Sequence, residues 1–331
     1  MNDAHGSLHA LLSRAYGITA ATIGDAPRGF VADTYDVTAA AGRRYFAKQL
    51  PLWADADAVR AGVDVLTELR ALGIDTVSQP VRTLAGAPAA TLDGRPFFLF
   101  AFIPGERASD GDASLSPASL NYDFGAYVDL LARIHAATPR LRATVPREDF
   151  ALPWAAEYEE LFARALSLTA PTIEQAQLRR LLEPYRPRVE ADWAALTTLV
   201  ATCREATWPA VLTHGDGIGS NLIVGDDGRL YLIDWDNPLL APAERDTWFF
   251  LNTAAAPAVF LPEYRRTFPD YRPDPLFHRF YVLQRFFQDL TGYLGPILDD
   301  PTAERRGYHL AELRQTCFVW LWPAIRRLDP P

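Results

Sequence analysis

Lysine is almost absent from this sequence. Of its 32 basic residues, all but Lys48 are arginine. This bias, together with frequent alanine and proline, is typical of a GC-rich genome, in which lysine changes to arginine wherever the two are equivalent. Arginine presents a planar fork, whereas lysine is a compact point charge. Lys48 is therefore expected at a position where only a point charge fits.

Cysteines and long apolar runs are also scarce. The two cysteines, Cys203 and Cys317, are far apart and lack metal-like spacing, so neither a disulfide framework nor a zinc site is indicated. The most apolar stretches, PFFLFAFIP and TCFVWLWPA, are too short to span a bilayer. The first residues lack the basic segment and apolar core of a signal peptide. We expect a soluble, cytoplasmic protein without a membrane partner.

Positive charge is in deficit. The formal net charge is −9 and the sequence pI is near 5.2, which disfavours nucleic acid as a partner and suits a cationic small molecule. The 331 residues, 49% hydrophobic and 22% charged, are typical of a globular chain with two lobes. We expect a monomer or a homodimer.

The order of predicted elements divides the chain. Strand-like runs, one of them carrying Lys48, are followed by an amphipathic helix over 55–72 and by further strands at VSQPVRTL, APAATLDG and RPFFLFAFI. Pro104-Gly105 then breaks the pattern. The rest is largely helical, apart from strand-like segments over 211–236, and PEYRRTFPDYRPDP has the composition of a surface connection. The prediction is an α+β chain with a β-rich lobe over 1–103 and a mostly helical lobe over 104–331.

One constellation carries the chemistry. His214-Gly215-Asp216 is followed by Asn221 five residues later, and then by Ile233-Asp234-Trp235-Asp236. Phosphoryl transfer to a hydroxyl needs a carboxylate that orients the nucleophile and oxygen ligands for Mg²⁺. A tight loop presents Asp216 and Asn221 to one cleft, and a hairpin turning at Asp227-Gly228 returns the chain so that Asp234 reaches the same metal.

LTHGDGIGSNLIV…LYLIDWDNPLLAPAERD resembles the catalytic loop and metal segment of the aminoglycoside phosphotransferase and choline kinase-like family, and is most similar to its spectinomycin phosphotransferase branch. The resemblance implies a protein-kinase-like two-lobed fold with ATP and Mg²⁺ as cofactors. It implies Asp216 as catalytic base, Asn221 and Asp234 as metal ligands, and Asp236 as a supporting carboxylate on the substrate side. His214 and the pair Arg245-Asp246 would then be structural.

The same resemblance assigns nucleotide contacts in the first lobe. Lys48 would bind the ATP phosphates and needs a carboxylate partner on the following helix. Three acids are open for that role, with Asp64 slightly favoured over the other two, Asp57 and Glu68.

Two further nucleotide contacts are implied. The segment GFVADTYD would cover the phosphates through its backbone amides and Thr34, although Gly29 is its only glycine. Ala101 and Ile103 would contact adenine through their backbone groups. The loop over 217–220 departs from the commonest pattern, because it lacks both the lysine of protein kinases and the second histidine or acid seen in many relatives.

The acceptor site is implied least directly. The segment YVLQRFFQDLTGYL resembles the spectinomycin branch at Arg285 and Asp289, which would contact the substrate, although an ordinary amphipathic helix would show the same pattern. The expected function is phosphorylation of an aminocyclitol such as spectinomycin, and hence antibiotic resistance. Two alternatives stay open: a metabolic kinase for choline, a sugar, a sugar-amine or homoserine, and a catalytically inactive nucleotide-binding scaffold.

Overall fold

The computed structural model describes residues 2–26, 32–108, 120–217, 219–252 and 256–328. Its first part is built on a five-stranded antiparallel sheet with the strand order β1-β2-β3-β5-β4. The strands are β1 Ala20–Asp25, β2 Asp33–Ala39, β3 Arg44–Gln49, β4 Ala90–Leu92 and β5 Arg95–Ala101. Lys48 lies on the central strand, opposite Phe98 of β5 and Thr34 of β2.

Two helices accompany this sheet. Helix α1, Asn2–Tyr16, buries Leu8, Leu11 and Leu12 in the same apolar cluster as one sheet face. Helix α2, Ala56–Ala71, begins where the Asp55 side chain accepts hydrogen bonds from the first-turn amides. It ends before Gly73, whose φ of 84° is the left-handed conformation common after a helix. Helix α2 was predicted over 55–72 as an amphipathic helix.

The predicted strand at VSQPVRTL is wrong as a regular strand. Val77 and Pro80 make only isolated bridges, to Leu232 and Phe100. Proline has no N–H to donate to a ladder, which explains why the pairing along β5 is interrupted there. The flanking residues still attach to β5, because Val81 N donates to Leu99 O and Ala101 N donates to Gln79 O, each at 2.8 Å.

The second part is mostly helical, as predicted. Its helices are α3 Phe124–Ala137, α4 Ala155–Ser167, α5 Ile173–Leu182, α6 Arg186–Glu205, α7 Glu244–Leu251, α8 Ala256–Thr267, α9 Pro275–Asp299, α10 Ala303–Leu313 and α11 Trp322–Arg326, with a π-helix at Arg314–Leu321 before α11. Its strands are β6 Gly105–Arg107, β7 Val211–Thr213, β8 Leu222–Gly225, β9 Leu230–Leu232 and β10 Leu239–Ala241. They form the sheets β6-β8-β9 and β10-β7.

The expectation of a surface connection at PEYRRTFPDYRPDP is wrong in its first half. That half continues α8 to Thr267, and the Tyr264 side chain is only 1% exposed. Helices α5 and α6 are separated by a short break that contains Pro184. Pro187, however, lies in the first turn of α6, where the missing N–H costs nothing.

Helix α9 runs through the centre of the second part. Its buried side chains belong to one large apolar cluster that also contains the core residues of α3, α4 and α7. Val77 and Ile74, which follow α2, join this cluster, so the two parts share packing. The lobe boundary at 103/104 stays a prediction. Within the described residues, no helix has the length and apolar character needed to cross a membrane.

Candidate active site

The loop after β7 carries Asp216 and begins with a glycine that the structure requires. Gly215 has φ of 85°, and a Cβ at this position would overlap the guanidinium of Arg245. That guanidinium donates to Thr213 Oγ1 at 2.8 Å and to Asn237 O at 3.0 Å. Arg245 therefore joins the start of the loop to the segment after Asp236.

Asp246 fixes the backbone at the start of the loop. Its carboxylate accepts hydrogen bonds from His214 N at 2.9 Å and from Gly215 N at 2.5 Å. Burial raises the pKa of Asp246, but hydrogen bonding and charge from His135 outweigh burial and hold that pKa below its usual value. The predicted structural role of Arg245 and Asp246 agrees with these contacts.

His135 and Tyr264 complete this network and were not identified from the sequence. His135 Nε2 lies 3.1 Å from Asp246 Oδ2, and its Nδ1 lies 2.6 Å from the Tyr264 hydroxyl. A carboxylate can only accept, so His135 Nε2 carries a proton that it donates to Asp246. Neither residue stood out, because His135 ends an apolar helix and Tyr264 lies in the segment expected to be a surface connection.

His214 holds the loop rather than facing the cleft. Its Nε2 donates to Ile233 O at 2.8 Å, and its Nδ1 accepts from Asp216 N at 3.2 Å. Ile233 N in turn donates to Asn221 O at 2.9 Å. The catalytic loop and the metal segment are thereby joined on both sides of Ile233, and both ring nitrogens of His214 are occupied.

Asp216 is held by two side chains. Asn221 Nδ2 donates to Asp216 Oδ2 at 2.9 Å and to Asp216 O at 2.8 Å. Arg285 Nη1 donates to Asp216 Oδ1 at 2.6 Å. The carboxylate is 44% exposed, so it faces the cleft while each oxygen accepts one hydrogen bond. The structure thus brings Asp216, Asn221 and Arg285 together from one loop and one helix.

Lys48 contacts the segment that carries Asp234 and Asp236. Its ammonium lies 2.5 Å from Asp234 Oδ1 and 2.6 Å from Asp236 Oδ2. Burial lowers the pKa of Lys48, but the charges of Asp236 and Asp234 outweigh burial and raise that pKa. Asp234 has φ of 66°, a left-handed conformation that is strained for a non-glycine residue and is concentrated at functional sites.

The two carboxylates beside Lys48 differ in acidity. Burial raises the pKa of Asp236, and the neighbouring Asp234 adds to that effect. For Asp234 the opposing charge and hydrogen bond of Lys48 outweigh burial, so its pKa is lowered. Asp234 is therefore the more acidic of the two carboxylates. Asp236 was expected on the substrate side, and the structure places it against Lys48 instead.

The predicted pairing of Lys48 with Asp64 is wrong in this structure. Asp64 pairs with Arg82, Asp57 pairs with Arg60, and Glu68 accepts from Arg142 N. The cause is the approach of α2 to the metal segment. A Cβ at Gly62 would overlap the carbonyl of Trp235, so α2 presents a bare backbone there rather than an acid.

The remaining nucleotide-site predictions lie on β2 and β5. Thr34 is buried, and its hydroxyl donates to Ala26 O at 3.3 Å. Gly29 lies outside the described residues. Ala101 ends β5, and its N–H is used by Gln79, so only its carbonyl remains as the adenine contact predicted there. Ile103 follows, partly buried, before β6.

The predicted acceptor residues lie on α9, one turn apart. Arg285 Nε donates to Asp289 Oδ2 at 2.9 Å, so the guanidinium bridges Asp289 and Asp216. Burial lowers the pKa of Arg285, but the two carboxylates outweigh burial and raise it. Arg285 is thus permanently charged.

A metal site made of protein alone is not present in the described part of the chain, where no three His, Cys, Asp or Glu side chains are placed to hold an ion. Mg²⁺ is usually bound by one or two carboxylates together with substrate phosphates. Asp234 and the amide oxygen of Asn221 fit such a site, because the amide nitrogen of Asn221 is already used by Asp216.

The sequence over residues 22–281 matches the model of the phosphotransferase enzyme family. The chain belongs to this family. Its reaction class is therefore the transfer of a phosphoryl group to an alcohol acceptor. The match contains every predicted catalytic and metal-site residue, and ends before Arg285. No curated protein sequence matches the chain closely.

Solved structures show the same fold. A spectinomycin phosphotransferase, solved with ADP and spectinomycin, is 18% identical, with 96% of this chain and 97% of that chain covered and a TM-score of 0.76. An amicoumacin kinase, solved with AMP-PNP and Ca²⁺, is 16% identical, with coverages of 94% and 92% and a TM-score of 0.64. A macrolide 2′-phosphotransferase from Brachybacterium faecium is 17% identical, with coverages of 93% and 97% and a TM-score of 0.52. The predicted kinase-like fold is confirmed.

Proposed function

We propose that this phosphotransferase moves the γ-phosphoryl group of ATP to a hydroxyl of a small cationic, polyhydroxyl molecule, and that an aminocyclitol such as spectinomycin is its acceptor. One observation carries the proposal. The loop with Asp216 and Asn221 is bonded through Ile233 to the segment with Asp234. This bonding supports the proposal because it fixes Asp216, the proposed base, relative to Asp234, the proposed metal ligand.

On the nucleotide side, Lys48 is the cation for the ATP phosphates. It stands 9% exposed on a central strand and already contacts two carboxylates, as expected for a point charge in a fitted site. Asp234 and Asn221 would hold Mg²⁺, which when bound offsets phosphate charge. The Ala101 carbonyl and Ile103 backbone would contact adenine, and Thr34 would lie beneath the phosphates.

The charge of the site requires a divalent ion with the nucleotide. The four carboxylates of Asp216, Asp234, Asp236 and Asp289 face only two cations, Lys48 and Arg285, in the contacts described. A site with this excess of negative charge repels free ATP. The same excess attracts a protonated amine, which agrees with the chain's formal charge of −9.

On the acceptor side, Asp216 would accept the proton of the attacking hydroxyl. Its exposed carboxylate is already oriented by Asn221 and Arg285. Phosphoryl transfer gains most from positioning and from charge stabilisation, so a fixed carboxylate is the main contribution of this residue. The phosphotransferases of similar structure act on antibiotics that carry hydroxyl groups, which supports the same acceptor class here.

The test is ATP turnover with Mg²⁺ across a panel of spectinomycin, other aminoglycosides, macrolides, choline, homoserine and simple sugars. Products are checked by mass for one added phosphoryl group. We expect turnover with spectinomycin or a related aminocyclitol. Turnover confined to choline, homoserine or a sugar would replace the antibiotic with a metabolite, and ATP binding without turnover on any member would favour an inactive scaffold.

The base is tested by Asp216→Asn. We expect turnover to fall by about 10²–10⁴-fold, the range for a lost general base, with ATP affinity nearly unchanged. The matched control is Asp226→Asn, an exposed acid in the β8–β9 turn, which should behave as wild type. Activity of Asp216→Asn near that of wild type would remove Asp216 from the role of base.

A further inference from the structure

We propose that Arg285 is a positioning residue for the catalytic carboxylate, anchored by Asp289 and acting on Asp216. The inference rests on the proposed role of Asp216 as base and goes beyond it, because it concerns what orients that base. The guanidinium makes one contact with each acid, to Asp216 Oδ1 at 2.6 Å and to Asp289 Oδ2 at 2.9 Å.

The loop fixes the backbone of Asp216 but only one of its carboxylate oxygens. Asp216 N donates to His214 Nδ1, and Gly215 N donates to Asp246. The Asp216 side chain is 44% exposed, and Asn221 fixes only its Oδ2 atom. Arg285 supplies the second fixed point. With one oxygen held from the loop and the other held from α9, the plane of the carboxylate is set relative to a helix that does not belong to the loop.

Helix α9 is a rigid support for this contact. It spans 25 residues and buries thirteen of them. Asp289 lies one turn after Arg285, and its side chain is 16% exposed. Burial raises the pKa of Asp289, against the lowering effect of Arg285. A half-buried ion pair of this kind is weak evidence for stability, because apolar residues of equal volume often stabilise as well. Because Arg285 also contacts Asp216, we infer that the Arg285–Asp289 ion pair orients the base rather than stabilising the fold.

The geometry also explains why arginine occupies this position. Nε and Nη1 donate in different directions, to carboxylates on different elements. A lysine ammonium is a point donor and cannot reproduce two separated contacts with fixed angles. Phosphoryl transfer depends more on the direction of the acceptor oxygen than on early proton removal, so a fixed orientation of the Asp216 carboxylate is what this contact supplies.

The experiment compares Arg285→Ala, Arg285→Lys and Asp289→Asn with wild type on the acceptor found in the panel. We expect Arg285→Ala to lower kcat by about 10²-fold, the effect of a misplaced reacting group. The KM for the acceptor and the affinity for ATP should change by less than about threefold. The kcat of Arg285→Lys should stay as low as that of Arg285→Ala. The kcat of Asp289→Asn should fall by about tenfold, because the arginine remains but its ion pair with residue 289 is weakened. Guanidinium ion added at a non-denaturing concentration should restore part of the kcat of Arg285→Ala.

The matched control is Arg279→Ala, a half-buried arginine on the same helix, which should keep wild-type kcat and guanidinium response. An increased acceptor KM with unchanged kcat in Arg285→Ala would overturn the proposal in favour of direct substrate binding. Unchanged kcat and KM, or no rescue by guanidinium, would also overturn it.

A crystallographic readout separates this proposal from the proposed function. In wild type the Asp216 carboxylate should occupy one rotamer against Arg285, and in Arg285→Ala it should leave that rotamer. The same rotamer in both structures would contradict the positioning role, whichever acceptor the enzyme uses. Failure of the proposed base would instead appear as activity retained by Asp216→Asn.

Discussion

Lys48 lies between two carboxylates, and this arrangement explains why lysine persists there in a chain that otherwise uses arginine. The contacts of 2.5 and 2.6 Å leave no space for a planar guanidinium without displacing Asp234 or Asp236. We therefore expect Lys48→Arg to lower kcat/KM for ATP by about 10²-fold. Steady-state kinetics with varied Mg-ATP provides the measurement.

Arg43, which directly precedes the strand with Lys48, offers the opposite substitution as a control. Arg43 is exposed and lies over the Tyr45 ring at 5.7 Å. Arg43→Lys keeps the charge at a surface position, so its kinetics should match wild type. Near-wild-type kinetics for Lys48→Arg would make the single lysine an accident of composition.

Asp246 is a buried carboxylate that stabilises the backbone of the loop with Asp216. Its pKa is lowered in the folded protein, which means that folding stabilises the ionised form. This stabilisation is fully present above the ordinary pKa of a carboxyl group, and it is lost as the pH falls through the lowered pKa of the folded state. We expect Asp246→Asn to reduce the free energy of unfolding by about 3 kcal/mol at pH 7, as for a broken buried charge pair. Urea unfolding at several pH values measures this change.

The difference between wild type and Asp246→Asn should shrink as the pH is lowered through the acid range, because wild type then loses the charge as well. Asp226→Asn, on an exposed turn, serves as control and should unfold as wild type does. A constant difference at all pH values would show that the charge of Asp246 is not what stabilises the loop.

The residues of the site were predictable where their spacing is local. Asp216 and Asn221 are five residues apart, and Asp234 returns through one hairpin, so sequence distance and spatial distance agree. The Lys48 partner was not predictable, because it lies 188 residues away in the chain and depends on how α2 meets the metal segment. No local pattern distinguishes an acid that faces Lys48 from one that faces Arg82.

At the scale of elements, α2 depends on Gly62. This residue lies mid-helix and backs onto the Trp235 carbonyl, between Asp234 and Asp236. We expect Gly62→Ala to push α2 away from the metal segment and to lower the free energy of unfolding by about 1–3 kcal/mol, the usual cost of overpacking. Turnover should fall with it. Calorimetric unfolding and kinetics on the same preparation measure both effects.

Gly292 on α9 is the matched control, since it is exposed and lies within a helix. Beyond its own helix backbone, no atom of the described residues comes within 4 Å of the place that a Cβ would take. Gly292→Ala should raise the free energy of unfolding by about 0.5–1 kcal/mol through helix propensity. If Gly62→Ala also raised it, the close approach of α2 to Trp235 would not constrain the fold.

Elements with strong apolar periodicity or a glycine turn were predictable, as α2 and the β8–β9 hairpin show. The segment around Tyr264 was not, because its arginines and prolines are typical of a loop. Its helix forms because Tyr264 packs on Phe260 and reaches His135 on α3. Tertiary contact overrides composition there, and a contact between α3 and α8 is invisible in either segment alone.

At the scale of the whole molecule, the fold is retained while the sequence is not. A TM-score of 0.76 at 18% identity means that the arrangement of β-rich and helical parts survives replacement of most side chains. The reaction class could be predicted from one stretch of sequence, and the family match over residues 22–281 contains that stretch. The acceptor was not predictable in this way, because the segment with Arg285 and Asp289, where the resemblance implied substrate contacts, lies beyond the family match at residue 281.

The excess negative charge of the site should make nucleotide binding depend on Mg²⁺. With four carboxylates against two cations, and −9 overall, free ATP should bind poorly, whereas Mg-ATP should stabilise the fold. At 100 times its dissociation constant, Mg-ATP should add about 2.7 kcal/mol to the free energy of unfolding, observed as a higher Tm. ATP with EDTA should give little shift. Asp234→Asn should lose most of the Mg²⁺-dependent increase, while Asp226→Asn keeps it. An equal shift by ATP with and without Mg²⁺ would mean that Lys48 alone binds the phosphates and that Asp234 is not a metal ligand.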